Sequence, residues 1–423
     1  MAETWFYLQD GNPAGPVEEG VIAALLRGGS LGPASYVWKE GMADWLPVAE
    51  VPDLRPLMVP VSVVPPPLPM PPNVPSIAAR RERDGLLGGL AAGISKYAAL
   101  PTLSGVPIRD LLLGGLATNG KPVNIEDELV VGTALTTPPL EALSTKWPTP
   151  RIFWRIFGGA LATYLLLQIG FWQFNNPNFI PGMIVIGSFV VPLSIVVLFF
   201  ELNTARNVSI YQVGKMFLLG GALSLILTML VLQVVPGSGS GGLFPALLTG
   251  VVEETGKALT LLLVVGMVRY RWESNGVLFG AAVGAGFAGF ESAGYAFMAA
   301  MQDQSVGSAT ISILIRGLLA PGGHVIWTAM VGSALWKVKR DRPFSVAMLF
   351  NGTVVRRWVI AVILHGLWDT DVYFIPWFIQ EPLLLILGWY IIFAILKEAL
   401  AQVTAAQKTV MTTVILAQGG VGR

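Results

Sequence analysis

From residue 152 onward the chain is a series of apolar stretches long enough to cross a lipid bilayer, and nothing else in it limits the architecture so tightly. A span needs about 20 mostly apolar residues. Inside hydrocarbon every backbone N–H and C=O must be satisfied by the protein itself, which leaves helices for segments of this length. Eight spans are expected, over 155–174, 179–201, 212–235, 243–268, 275–301, 309–336, 355–373 and 377–397, with a break in the sixth at the string APGG, 320–323. The expected membrane domain is all-α and polytopic, occupying 151–400, with a tail at 401–423. Composition agrees: 13% of residues are charged, about half the share found in soluble proteins.

The connections between these stretches set an orientation. Lys146, Arg151 and Arg155 precede the first. Alternate connections then carry Arg206 and Lys215; Arg269 and Arg271; Lys337, Lys339, Arg340, Arg342, Arg356 and Arg357; and Lys397 and Lys408 follow the last. The intervening loops NNPN, VPGSGSGG, MQDQSVGS and DTDVYFIPW contain neither Lys nor Arg. The positive-inside rule then predicts cytoplasmic N- and C-termini. The N-terminus, MAETWFYLQDG, has no basic segment leading into an apolar core, so no signal peptide is expected. A net charge of +1 speaks against a nucleic-acid partner. The absence of cysteine excludes disulfides, thiol nucleophiles and thiolate metal sites.

Against this apolar background the charges inside the spans stand out. The stretch GVVEETGKALTLLLVVGMV, 250–268, holds Glu253, Glu254 and Lys257. One charged side chain at mid-membrane costs about 2.5–3.5 kcal/mol even on lenient scales. Glu291 lies in the fifth stretch, His324 in the sixth, and His365 and Asp369 in the seventh. At 1.5 Å per residue Glu253, Glu254, Glu291, His324 and His365 fall in one layer roughly 12–22 Å below the outer ends, with Asp369 one turn nearer the surface. Glu253 and Lys257 are spaced to pair on one helix face, as are His365 and Asp369. Glu253 and Glu254 are about 100° apart on the helix and point different ways. Gly256, Gly280, Gly284, Gly286 and Gly289 allow close helix approach. Carboxylates and imidazoles at one level can activate a water by general-base catalysis, or hold a metal that does so. The same groups also mark proton relays, so a proton-coupled transporter is the alternative; a catalytically silent membrane scaffold is a third. Within the apolar stretches no GxSxG elbow suggests a serine triad.

The order E-E-x-x-K (Glu253, Glu254, Lys257), F-x-x-x-E (Phe287, Glu291), a histidine-bearing span (His324) and H-x-x-x-D (His365, Asp369) resembles the PrsW family of intramembrane proteases. That family is similar to the type II CAAX prenyl endopeptidases, whose motifs are E-E-x-x-x-R, F-x-x-x-H and H-x-x-x-N. The resemblance implies hydrolysis of a membrane-spanning protein substrate, in signalling of the anti-sigma-factor type, by a protein of the bacterial cytoplasmic membrane. It implies catalytic roles for Glu253, Glu254, Glu291, His324, His365 and Asp369, with Lys257 and Phe287 in support. Either Glu254 or Glu253 is the base. The cofactor stays open: none for a glutamic-type peptidase, or zinc held by Glu254, Glu291, His324 and His365.

Residues 1–56 read as a small soluble domain, and 57–76 as a proline-rich linker favouring polyproline II. Residues 77–150 are mixed, with short helices and a hairpin expected around ATNGKPV, and carry no functional assignment. The strings W-F-Y at 5–7, GPV at 15–17, LLRGGSLGP at 25–33 and VWKEGMADWLPV at 37–48 resemble the GYF type-2 domain, a small α+β fold. The resemblance implies binding of a proline-rich peptide, with Trp5, Tyr7, Trp38 and Trp45 forming the groove or its support. The chain's own PPPLPMPP, 65–72, is a candidate ligand.

Overall fold

The computed structural model describes residues 4–9, 12–27, 31–32, 35–54, 93, 96–97, 99–101, 103, 105–114, 129–239, 242–370 and 375–419. The linker 57–76, the segment 65–72 and the hairpin expected at 117–123 lie outside them. The chain divides into two units, 1–80 and 81–423.

In the first unit, strands β1 (Thr4–Gln9), β2 (Asn12–Glu18), β3 (Tyr36–Lys39) and β4 (Leu46–Pro47) form an antiparallel sheet in the order β2-β1-β3-β4. Helix α1 (Glu19–Arg27) follows β2. The two-residue period of a strand separates the aromatics by face. Trp5 and Val37 are shut away from solvent with Ile22, Val48 and Leu54, and Tyr7 packs against them. Phe6 and Trp38 are register partners, with ring centroids 5.8 Å apart. Trp5 therefore belongs to the core, while Trp38 and Trp45 are half-buried.

In the second unit each of the eight expected stretches is helical over most of its described residues. They are α3 (Ile152–Phe174), α4 (Phe179–Leu202), α5 (Ile210–Leu232), α6 (Leu243–Thr260), α7 (Glu273–Gln302), α8 (Val306–Leu319), α9 (His324–Lys339), α10 (Gly352–Trp368) and α11 (Trp377–Gly419), after a short α2 (Ile108–Leu113). The sixth stretch is two helices, α8 and α9, separated by the turn Ala320–Gly322. Among the described residues six segments are long and apolar enough to span: α3, α4, α5, α7, α8 with α9, and Trp377–Thr412 of α11. The two that fall short are α6, which contains Glu253, Glu254 and Lys257, and the seventeen-residue α10, which contains Arg356, Arg357 and His365. Helix α11 continues through most of the expected tail.

Helix α7 is the axis of the bundle: every residue from Glu273 to Gly289 is buried. Its Gly- and Ala-rich sequence lets α9 lie directly against its backbone. A Cβ at Gly276, Gly280 or Gly284 would overlap the carbonyls of Gly332, Thr328 or His324. Gly280→Ala is expected to cost about 1–3 kcal/mol by overpacking, read as a lower unfolding midpoint in detergent. At the start of the bundle Glu201, from the last turn of α4, accepts the backbone N–H groups of Arg151, Ile152 and Phe153 at 2.6, 2.9 and 2.8 Å. This satisfies the first donors of α3, which no local side chain caps.

At the other end of α7 lies a second set of charges. Arg357 of α10, 1% exposed, donates to Glu273 Oε1 at 2.6 Å, Ser333 Oγ at 2.7 Å and Glu398 Oε2 at 2.9 Å. Lys337 pairs with Glu398. Lys339 is also buried and donates to the carbonyls of Met267, Tyr270 and Arg340. Arg357 and Lys339 count among the charges of the sixth-to-seventh connection in the sequence. In the structure they tie α7, α9, α10 and α11 together.

Candidate active site

The break before α9 puts His324 at a helix N-terminus, facing α6, α7 and α10. Helices α6, α7, α8, α9 and α10 all line one cavity of about 390 Å³, bordered by Glu253, Glu291, His324, His365, Asp369 and Arg316 among others. Glu253 and Glu254 take different directions, as consecutive helical residues must. Glu253 lines the cavity. Glu254 turns into the protein, with no exposed side-chain surface.

Lys257 lies between the two glutamates. Its Nζ donates to Glu254 Oε1 at 2.7 Å and Glu253 Oε2 at 3.2 Å. It also stands 2.8 Å from His324 Nδ1 and 4.1 Å from the centre of the Phe287 ring. An ammonium can only donate, so His324 Nδ1 accepts and Nε2–H is left to donate to Glu291 Oε2, 3.0 Å away. Phe287 therefore walls the lysine and packs on His324, ring centroids 5.0 Å apart. His365 Nδ1 lies 3.0 Å from Glu254 Oε1. Its Nε2 faces Asp369 Oδ2 at 3.3 Å and Glu253 Oε2 at 3.6 Å. Trp327, one turn after His324, stacks on the His365 ring at 4.5 Å. Arg316 donates to Glu291 Oε2 at 2.5 Å and to Ser292 Oγ at 2.9 Å.

The structure thus brings Glu253, Glu254, Lys257, Phe287, Glu291, His324, His365 and Asp369 into one contact network. Trp327 and Arg316 complete it. The i,i+3 spacing of Trp327 from His324, and an arginine in an apolar helix, were the available sequence signals.

Three donors are grouped tightly enough for a metal ion. Ligand atoms of Glu253, His324 and His365 lie within 4.8 Å of one another. Each imidazole has its other nitrogen held by a carboxylate, His324 by Glu291 and His365 by Glu254. Metal-bound histidines are oriented in just this way. The carboxylates in and around the cavity, Glu253, Glu254, Glu291, Asp369 and Glu381, outnumber the basic side chains Lys257 and Arg316. The surplus favours imidazolium ions or a dication. The donor set therefore fits a zinc-type ion. The grouping differs from the expected one: Glu254 sits behind His365, Glu291 lines the cavity with its Oε2 on His324 Nε2, and Glu253 is the carboxylate grouped with the two histidines. An ion bound at His324 Nδ1 would use the lone pair that Lys257 now engages.

Comparison with known proteins finds two family models. Residues 209–396 match the family model described as PrsW family intramembrane metalloprotease. Residues 5–54 match GYF domain 2. No curated protein and no solved structure matches the chain. The protein carries an intramembrane protease domain behind an N-terminal GYF domain, and it is an integral membrane protein.

Proposed function

We propose that the protease domain hydrolyses a peptide bond of a membrane-spanning protein within the cavity enclosed by α6, α7, α8, α9 and α10, in the outer half of the bilayer. The observation that supports this most is the convergence of Glu253, His324 and His365 at the wall of a polar cavity inside an apolar bundle. Of the adjacent glutamates, Glu253 is the one that lines the cavity, and we assign it either the water's proton or a ligand position. Glu254 acts through His365, whose Nδ1 it holds. Glu291 does the same for His324. Asp369, a third exposed, keeps His365 Nε2 directed at the cavity. From there a protonated Nε2 can donate to the oxyanion or to the leaving amine. If an ion is used, Glu253, His324 and His365 would hold it, and its chemistry would be to polarise the carbonyl and acidify bound water.

The test is cleavage of a panel of co-expressed single-span reporters by wild type and His365→Ala at matched membrane levels. Wild type should cut and the variant should not. Inhibition by a chelator, reversed by zinc, assigns the metal-dependent form. Equal cleavage by both proteins would overturn the reading. The alternating loop charges support cytoplasmic termini, so a cut in the outer half suits a regulatory substrate of the anti-sigma type.

The GYF domain serves a proline-rich segment, through Trp38 and Trp45 with Trp5 and Tyr7 behind them; the chain's own 65–72 is one candidate. Deleting 65–72 should then raise affinity for an external proline-rich peptide, measured by titration. Unchanged affinity would remove the self-ligand.

A further inference from the structure

The active-site cavity shares a wall with a second, apolar groove. This groove, about 490 Å³, runs between α3, α4 and α8 and is lined by Trp154, Phe157, Tyr164, Val191, Leu314 and Leu318 among others. Residues of α8 alternate between the two. Ile315, Arg316 and Leu319 face the cavity, whereas Leu314, Gly317 and Leu318 face the groove. One helix, about 10–12 Å across, separates an apolar seat from Glu253 and the histidines.

That helix is lightly held. Only Ala309 and Ile313 of its fourteen residues are buried, and Leu318 is 76% exposed. Its ends are a turn containing Gln304 at φ 47° and the break Ala320–Gly322. Its strongest polar tie to the bundle is Arg316, on Glu291 and Ser292, with the guanidinium 4.4 Å from the Tyr295 ring centre. The oxygen that receives Arg316, Glu291 Oε2, is also the one facing His324 Nε2.

We propose that α8 is a lateral entrance for the substrate. The substrate's transmembrane helix seats first in the apolar groove, and the Arg316–Glu291 pair is the latch that closes α8 over the cavity. The inference rests on the protease reading and adds the route by which a bilayer substrate arrives. The occupant is a peptide helix because the groove adjoins the reacting groups. Gly317 also opens its floor to a backbone: a Cβ there would meet only Val191, at 3.9 Å. The shared oxygen makes Arg316 a positioning residue. When the latch closes, the carboxylate that orients His324 is fixed; when it opens, that carboxylate loses a strong donor.

The chain has no cysteine, so an introduced pair reports alone. A Cβ at Gly187 would overlap the side chains of Ile313 and Tyr164, each at 2.7 Å, so Gly187→Cys with Ile313→Cys, made in a Tyr164→Ala background that serves as its own reduced control, should pin α8 to α4 when oxidised. A benzophenone amino acid is placed at Ile315 or at Leu318, and capture of a single-span reporter is read by mass. In the reduced protein both positions should capture reporter. Oxidation should lower capture at Ile315 at least tenfold while sparing Leu318, and a thiol reductant should restore it. Arg316→Ala should raise capture at Ile315 severalfold while lowering cleavage per captured reporter; Arg316→Lys should fall between. Unchanged capture at Ile315 under the lock, phospholipid alone at Leu318, or capture at neither position would each overturn the entrance. Equal loss of capture and cleavage in Arg316→Ala would overturn the latch. Because capture is read apart from cleavage, a reporter that is captured and gated but never cut would count against the protease reading and leave the entrance standing.

Discussion

Glu253→Gln should lower reporter cleavage by about 10²–10⁴-fold, the range lost with a general acid or base. Its neighbour's amide, Glu254→Gln, should lower it only about 10–100-fold, the range typical of groups that orient a ligand from behind. The difference follows from direction. Glu253 lines the cavity and lies 3.6–3.8 Å from both imidazoles. Glu254 is sealed from solvent and reaches the reaction through His365 Nδ1 and Lys257 Nζ. Glu253→Gln keeps the shape and removes the charge, whether that charge takes a proton or holds an ion. Cleavage rates at matched membrane levels decide the matter. A larger loss for Glu254→Gln than for Glu253→Gln would reverse the assignment. Residual activity in Glu253→Gln that no longer responds to chelator would mark Glu253 as a ligand.

The largest stability effect should come from the other end of the bundle. Arg357→Met should destabilise the protein by about 3–5 kcal/mol, because it leaves a buried carboxylate without its cation. Glu273 is 2% exposed, and Arg357 is its direct cationic partner at 2.6 Å. Glu398 retains Lys337 and suffers less. The double variant Arg357→Met, Glu273→Met should recover most of the loss, since apolar replacement of a whole buried pair is often neutral or stabilising. Chemical unfolding in detergent measures both. Arg357 lies eight residues before His365, about 12 Å along α10, so cleavage per folded molecule should change little. A double variant as unstable as Arg357→Met alone would show that the arginine acts by packing and not by pairing.

The helices were legible in the sequence because hydrocarbon allows one backbone solution at that length. The break before His324 was legible as APGG for the same reason: glycine and proline interrupt a ladder that the other residues continue. Depth was legible from the rise per residue, and it grouped residues from α6, α7, α9 and α10 that the structure brings to one cavity. Rotation was not. Whether Glu253 or Glu254 faces the cavity depends on how α6 is turned about its axis. That is set by Lys257 packing on Phe287 and by Gly256 lying against α5, where a Cβ would touch Thr228. Arg357 and Lys339 were read as loop charges because the sequence gives their sign and position along the chain but not the carboxylate and carbonyls waiting for them. Trp5 was legible as an aromatic of the first domain, but its neighbours on the sheet face decide whether it binds or packs.

The two least apolar helices, α6 and α10, are the ones that bring the glutamate pair and His365. This has a consequence for how the protein is made. An arginine costs a helix entering the membrane alone up to about 2.5–3.5 kcal/mol at its centre and less towards its ends, and α10 carries Arg356 and Arg357 together in its second turn. Glu273 is synthesised before α10 and Glu398 after it, on α11. The cation of α10 has half of its counter-charge when it leaves the ribosome and gains the rest only when α11 follows. Insertion of this segment is thus a cooperative step that waits on the last helix, and truncations ending before Glu398 should leave α10 on the cytoplasmic side.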